Sequence, residues 1–435
     1  MIVLMKILQL VLALSVLVLV HELGHFLFAK LFRIRVDKFY LFFDAGGFSL
    51  LKFKPKGSDT EYGIGWLPLG GYCKIAGMID ESMDTESLKK EPQPWEFRTK
   101  PAWQRLLVMF GGVLFNFIFA ILLYIGILAG WGESYIANRG NSIYVNDLAY
   151  EMGFRNGDQI LRFDDYTPEK FYMLQADLAR QTARKATVLR DGDTLDIYID
   201  QNMIGDVLNT PGMFDLAVPF VIESVAPDSP NASAGLQKGD RIVEIAGQPI
   251  TYLQDSRRLL ADMSGTQVPV TMIRESDTVR MSLQVDTLGR IGVYTQLPGL
   301  KTREYSVAEA IPAGFRLAFD TVGGYLQDLK LVFTPSTEAY KSVGSFIAMG
   351  QIFPGAWDWY RFINILALLS IMLGVMNLLP IPALDGGHIV FTLYEMITGR
   401  KPSDRFLTIA QAIGMILLFG LLILAFGNDI GRLLR

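Results

Sequence analysis

Apolar residues gather along this chain into four long runs separated by mixed sequence. The first extends from about Ile2 to Phe32. The second is charge-free from Leu106 to Trp131, the third is charge-free from Phe362 to Leu384 and continues past Asp385, and the fourth is charge-free from Phe406 to Asn428. Each is long enough for a helix that crosses a bilayer, which needs ~20 residues. The pattern predicts a polytopic α-helical membrane protein with four transmembrane helices, at 1–32, 103–131, 361–395 and 404–428. The first run does not read as a cleaved signal peptide, because it leads into His-Glu and not into a small-residue cleavage site.

Between the second and third runs the pattern changes to short alternating stretches such as "FVIESV" and "RIVEIAG", the period of half-buried strands. Two parts look alike. "EMGFRNGDQILRFDD" begins at Glu151 and "SAGLQKGDRIVEIAG" at Ser233, and in each a Gly-Asp turn precedes an apolar strand. The glycine suits a tight turn with positive φ. Two copies imply a tandem repeat, at 132–210 and 211–297, followed by a linker at 298–360 with an amphipathic helix. The Gly-Asp strands resemble those of PDZ domains, which are α+β modules that bind extended peptides by strand addition. Peptide recognition, gating and a plain folded spacer are the roles open to them.

Composition sharpens the placement. Of the 435 residues 51% are apolar in type and 19% charged, and the net charge is −4. That balance fits embedding in a lipid bilayer and argues against a nucleic-acid partner, which calls for a broad basic face. Cys73 is the one cysteine, so neither an intramolecular disulfide nor a cysteine zinc cage can form. Lysine and arginine are frequent from Arg33 to Lys100, Lys89 and Lys90 included, and again at Arg400, Lys401 and Arg405. In a four-span arrangement both groups fall on one side, the cytoplasmic side by the positive-inside rule. The segment 33–102 is then a cytoplasmic-side loop, and the PDZ-like modules lie outside, in the periplasm if the cell has one.

The chemistry sits where the apolar pattern is broken. "VHELGH" puts His21, Glu22 and His25 inside the first run, and ionisable residues at membrane depth are costly enough to signal function. H-E-x-x-H on a helix sets two histidines one above the other, able to hold Zn²⁺ with the glutamate as general base. A catalytic zinc takes three protein ligands and an open position, so a third ligand is needed. "NLLPIPALDGGH" in the third run offers Asp385, the only acidic residue between Phe362 and Tyr394. Pro380 and Pro382 break the helix before it, and Gly386 and Gly387 permit a sharp turn after it. His21, His25 and Asp385 are the expected ligands. The chain's third histidine, His388, competes with Asp385 or serves beside it.

HELGH in a first span together with N-x-x-P-x-P-x-L-D-G-G in a later one resembles the site-2 protease family of intramembrane zinc metalloproteases, and is most similar to members with two PDZ domains between the spans. "GIGWLPLGGYCKIAGM" from Gly63 resembles that family's membrane-associated β-hairpin region, and "FGGVLFNFIFA" from Phe110 its second-span pattern, with Asn116 in the polar position. The resemblance implies zinc held by His21, His25 and Asp385, and Glu22 as the base. It also implies an inner-membrane, multi-pass protein of a bacterial cell. Its substrates would be single-span membrane proteins already trimmed outside, such as an anti-sigma factor, and remnant signal peptides. The Tyr62–Ile75 stretch is expected as a hairpin with Gly63, Gly65, Gly70 and Gly71 at its bends. There it would bind an unwound substrate by strand addition or anchor at the membrane surface through Trp66 and Tyr72. Asn377 would bind substrate backbone or bridge helices. Two other classes compete: a metal transporter, disfavoured because no repeat of spans is evident, and a non-catalytic PDZ scaffold, which has no use for Glu22.

Overall fold

The computed structural model describes residues 2–68, 70–78 and 91–434. Leu69 and residues 79–90, including Lys89 and Lys90 of the basic loop, lie outside the described residues. The chain divides into two compact units. One comprises Met1–Gly132, Glu304–Phe333 and Tyr340–Arg435, the other Glu133–Arg303 and Thr334–Ala339.

The first unit opens with α1 (Ile2–Leu31). A sheet follows, of β1 (Val36–Leu41), β2 (Ser49–Phe53), β3 (Glu61–Gly65) and β4 (Tyr72–Ile75), and then α2 (Ala102–Trp131). Helices α1 and α2 are two of four among the described residues that are long and apolar enough to cross a membrane. The two pack closely: a Cβ on Gly24 would strike the Gly111 carbonyl, and one on Gly111 would meet the Gly24 carbonyl. Small residues at such a crossing let backbones approach, the usual basis of helix association where lipid removes the hydrophobic drive.

The sheet corrects the expected hairpin. Its strand order is β2-β3-β1-β4, so β1 lies between β3 and β4. Strand β1 runs parallel to β3, with Tyr40 opposite Gly63, and antiparallel to β4, with Tyr40 opposite Tyr72. Gly63 and Gly65 therefore stand inside β3 and not at bends. The reason is steric. A Cβ on Gly63 would strike the Tyr40 ring, and one on Gly65 would strike the Phe43 backbone, so the glycines make room for β1 and its continuation. Strand β4 is left at an edge.

The second unit begins with β5 (Glu133–Tyr135), β6 (Ile143–Val145) and α3 (Asp147–Glu151). Next come β7 (Gln159–Phe163), α4 (Leu174–Arg180), β8 (Lys185–Arg190), β9 (Asp193–Tyr198), α5 (Ile204–Asn209) and β10 (Phe214–Leu216). Then come β11 (Ile222–Val225), β12 (Arg241–Ile245), β13 (Gln248–Pro249), α6 (Leu253–Asp262), β14 (Gln267–Arg274), β15 (Asp277–Gln284), β16 (Val293–Thr295) and β17 (Lys301–Arg303). Two antiparallel layouts recur. Strands β7-β8-β9 accompany the pair β10-β6, and β13-β12-β14-β15 accompany β11-β16. The β10–β6 pairing carries the first module past residue 210, where the repeat spacing alone would end it.

The repetition reaches single atoms. Gly157 and Gly239 have φ of 95° and 93°. The following Asp158 and Asp240 are wholly buried, each bound by two nitrogens of an arginine on the strand paired with the one it precedes, Arg190 on β8 and Arg274 on β14. Each aspartate also accepts from a backbone N–H three residues before it, that of Arg155 or Gln237. In the second module Ile242, Ile245, Val268, Val270, Met272 and Leu283 close the core beneath this pair. The unit's first and last strands, β5 and β17, pair antiparallel with Glu133 opposite Arg303.

After β17 the chain forms α7 (Val307–Val332), capped by Ser306 and Glu309 in a reciprocal box. It carries Pro312 in its second turn and packs on α2, with Gly314 against Ile125. The short α8 (Phe346–Gln351) precedes α9 (Trp359–Leu378), α10 (Asp385–Thr398) and α11 (Asp404–Leu433). The third apolar run is thus two helices, with a break at 379–384.

Candidate active site

Three elements bring the polar breaks together. Helix α1 presents His21 and His25 on one face, and their rings meet edge to face at 4.8 Å. Helix α10 brings Asp385 in its first turn, where the N-terminal dipole favours a carboxylate. His21 Nε2 lies 3.2 Å from Asp385 Oδ2, and His25 Nε2 lies 3.3 Å from the same atom. The two Nε2 atoms are 3.2 Å apart. All three side chains are within a seventh of full burial or nearly so, at 10%, 8% and 15% exposure. Asp385 Oδ2 is buried without a hydrogen-bond partner of its own. Two imidazole nitrogens and a carboxylate oxygen turned toward one point, with nothing else to satisfy the oxygen, form the donor set that suits a tetrahedral divalent cation with one position left open. His21, His25 and Asp385 are the one such group among the described residues, and His388 is not in it.

The break before α10 aims Asp385. Pro380 and Pro382 end the α9 register, and Ala383 takes φ of 85°, an uncommon conformation for a residue with a Cβ. Its N–H donates to Gln411 Oε1 of α11 at 3.2 Å. The two glycines after Asp385 do not make the sharp turn expected from the sequence but continue the first turn of α10, where crowding requires them. A Cβ on Gly386 would strike the carbonyls of Leu378 and Leu379, and one on Gly387 would meet Ile381 and Pro382. Irregular backbone at this depth is tolerable because it is packed within the protein.

Around the cluster lies a cavity of about 770 Å³. Glu22, Asn377, His388, Gly70 and Gly71 all line it. Glu22 accepts a hydrogen bond from the Cys73 backbone on β4, so the sheet touches the glutamate directly. Asn377 Nδ2 stands 3.4 Å from His21 Nε2. Gly70 and Gly71 lead into β4, and a Cβ on Gly71 would strike the Tyr40 carbonyl and Val18. On the same wall Lys38 and Tyr72 each donate to Asp44, at 2.7 Å. Burial raises the Asp44 carboxyl's affinity for a proton, yet those two donors outweigh it and hold its pKa below the usual value.

Two contributors lay outside the expected set. Gln411 is the single amide in the apolar run from Phe406 to Gly427, and the cost argument that picked out HELGH would have found it. The Lys38–Asp44–Tyr72 group had no such signal, because it lies in ordinary loop sequence and is assembled by the sheet.

Comparison with known proteins finds relatives over nearly the whole length of the chain. A provisionally named zinc metalloprotease of Neisseria meningitidis is 29% identical over 97% of this chain and 98% of its own. The regulator of sigma-E protease of Escherichia coli is 28% identical, with the same coverage of both chains. The corresponding protein of Salmonella typhimurium is 29% identical. A PDZ domain of an SdrC-like protein from Listeria monocytogenes aligns with 18% of this chain and 86% of its own, at 23% identity and a TM-score of 0.16, too low to place the fold. The profile of peptidase family M50 matches residues 9–421, and the chain belongs to that family.

Proposed function

We propose that this protein is an intramembrane zinc metalloprotease of a bacterial inner membrane, in which His21, His25 and Asp385 hold the metal and Glu22 is the general base. The observation that carries this reading is the convergence of His21 Nε2, His25 Nε2 and Asp385 Oδ2 at 3.2–3.3 Å inside a bundle of apolar helices. Zinc bound there would supply an activated water and polarise the scissile carbonyl. Glu22 takes a proton on its carboxylate as the peptide bond is attacked and returns it to the leaving amine. A spanning substrate must first unwind, and each freed backbone group then needs a partner. The outer edge of β4 supplies such partners beside Glu22, with Gly70 and Gly71 at its head. Asn377, whose amide reaches the same cavity, contacts the substrate backbone once His21 Nε2 is engaged by metal.

The substrates on this reading are single-span membrane proteins already trimmed outside, an anti-sigma factor among them, and remnant signal peptides. The two PDZ-like modules, joined between the second and third spans and placed in the periplasm by the lysine and arginine bias, exclude substrates with bulky outer domains. Apolar spans resemble one another, so bulk is easier to discriminate than sequence.

Glu22→Gln tests the chemistry. It should retain zinc, lose at least ~10²-fold in cleavage, and cause trimmed membrane proteins to accumulate in cells, where they can be identified. Near-normal turnover would remove Glu22 from the mechanism. Replacing residues 134–295 with a flexible linker tests the filter. Untrimmed substrates should then be cut, with trimmed ones cut as before. Loss of cleavage of trimmed substrates in zinc-loaded, inserted protein would mean that the modules recruit.

A further inference from the structure

One stripe of α2 serves both histidines. Val108, Gly112 and Asn116 follow at intervals of four, one above another on the face toward α1. Gly112 leaves room for the rings, since a Cβ there would strike His25 Nε2 and His21 Cε1. Val108 O lies 2.9 Å from His25 Nδ1. A carbonyl only accepts, so His25 carries a proton on Nδ1, and Nε2, turned toward Asp385, is the atom left to ligate.

His21 has a different partner. Asn116 Nδ2 faces His21 Nδ1 at 3.0 Å. Asn116 is fully buried, and its Oδ1 has no hydrogen-bond partner. Its backbone is pinned by Ser370, which donates to the Asn116 carbonyl at 2.8 Å. Which of the two atoms donates depends on the ring tautomer and on which end the amide turns to the ring. A ring protonated on Nε2 cannot ligate a metal through that atom. With Oδ1 turned to the ring, Oδ1 gains the partner it otherwise lacks, accepts from Nδ1–H, and Nε2 is free to ligate.

We propose that Asn116 is the positioning residue that sets the tautomer of His21, its Oδ1 accepting from Nδ1–H so that Nε2 is free to hold zinc. A backbone carbonyl does the same for His25, and an amide oxygen does it for His21. The inference rests on the ligand assignment proposed above.

The chain has three histidines, so ¹⁵N-histidine labelling of the full-length protein in detergent gives a resolvable spectrum, with His21→Ala assigning the signal. With zinc bound, the His21 Nδ1 resonance should have protonated character. Zinc affinity, read by chelator competition, should fall ~10–100-fold in Asn116→Leu, the range for losing a ligand's hydrogen-bond partner. It should stay near the wild-type value in Asn116→Asp, which accepts from Nδ1–H. Asn116→Ala is the second loss variant should leucine impair insertion. If Nδ1 is bare with zinc bound, the proposal is overturned. If leucine binds zinc as well as asparagine, or aspartate is the weaker of the two, Asn116 only fills space and the proposal fails. Wild-type zinc affinity in His21→Ala would instead overturn the ligand assignment, and this inference with it.

Discussion

Asp385 and Asp240 both stand next to a glycine, Gly386 in the first turn of a helix and Gly239 in a positive-φ turn, and they are held in opposite ways. Asp240 is saturated: Arg274 Nε and Nη2 donate to it at 2.7 and 2.8 Å, and the Gln237 N–H adds a third bond at 2.8 Å. Asp158 repeats the arrangement with Arg190. Among the described residues no lysine or arginine forms an ion pair with Asp385; what its Oδ2 meets are the ring nitrogens of His21 and His25. A buried carboxylate with a resident guanidinium is finished, and its role is to hold a turn. One that faces imidazole nitrogens and no fixed cation still lacks its counter-charge, and that lack marks a place for a cation.

The largest effect should come from erasing the unfinished one. Asp385→Ala should lose most of the bound zinc, about one per chain in the intact protein, and with it cleavage, while the β-rich modules stay folded by limited proteolysis. His388→Ala should keep the metal. Zinc lost by the second and kept by the first would reverse the assignment.

Arg274→Met should do the converse. Zinc should be retained, and the second module should be destabilised by about 3 kcal/mol, the lower part of the range for leaving a buried charge without its partner. Hydrogen exchange confined to β12, β14 and β15 would read this. Unchanged protection there would mean that the bidentate pair contributes nothing to the fold.

A smaller effect concerns pH. The hydrogen bonds from Arg274 hold Asp240 below its ordinary pKa, against the opposing effect of burial. An unfolded aspartate titrates near ~3.9. The pair's stabilisation is therefore complete above that value and is lost as pH falls through it toward the lower folded value. Opening of the second module should accelerate below about pH 4, and less so in Asp240→Asn. Equal acid sensitivity in both proteins would assign the effect to other carboxylates.

The smallest change is expected at the strand edge. Gly71→Ala must displace Tyr40 O or Val18 and so shift β4. Cleavage of a stable helical substrate should fall a few-fold, and of one loosened by helix-breaking residues less. Equal losses would indicate general distortion.

What could be read before folding divides along the same physical line. The four long helices and the cluster of His21, His25 and Asp385 were legible because charge in an apolar run is conspicuous and its cost demands a reason. The break before Asp385 was legible from Pro380 and Pro382. The sheet was not. "VDKFYL" from Val36 carries no clean alternation, and its insertion between β3 and β4 depends on glycines 22 and more residues away that accept Tyr40 and Phe43. Long-range fits of this kind leave no local period. The end of the first β-module was hidden likewise, because β10 is three residues long and declares itself only by pairing with β6.

The pairing of β5 with β17 has a mechanical meaning. Glu133 and Arg303, where the chain enters and leaves the pair, sit opposite each other at the same end of the ladder. Tension drawing these two points apart would load the rungs one after another, as in a zipper, and not all together, as in shear. Such a seam parts under little force and reseals without any rearrangement of the modules behind it. It is also a place where another folded domain with neighbouring termini can be spliced in, since closing so short a gap costs almost no chain entropy.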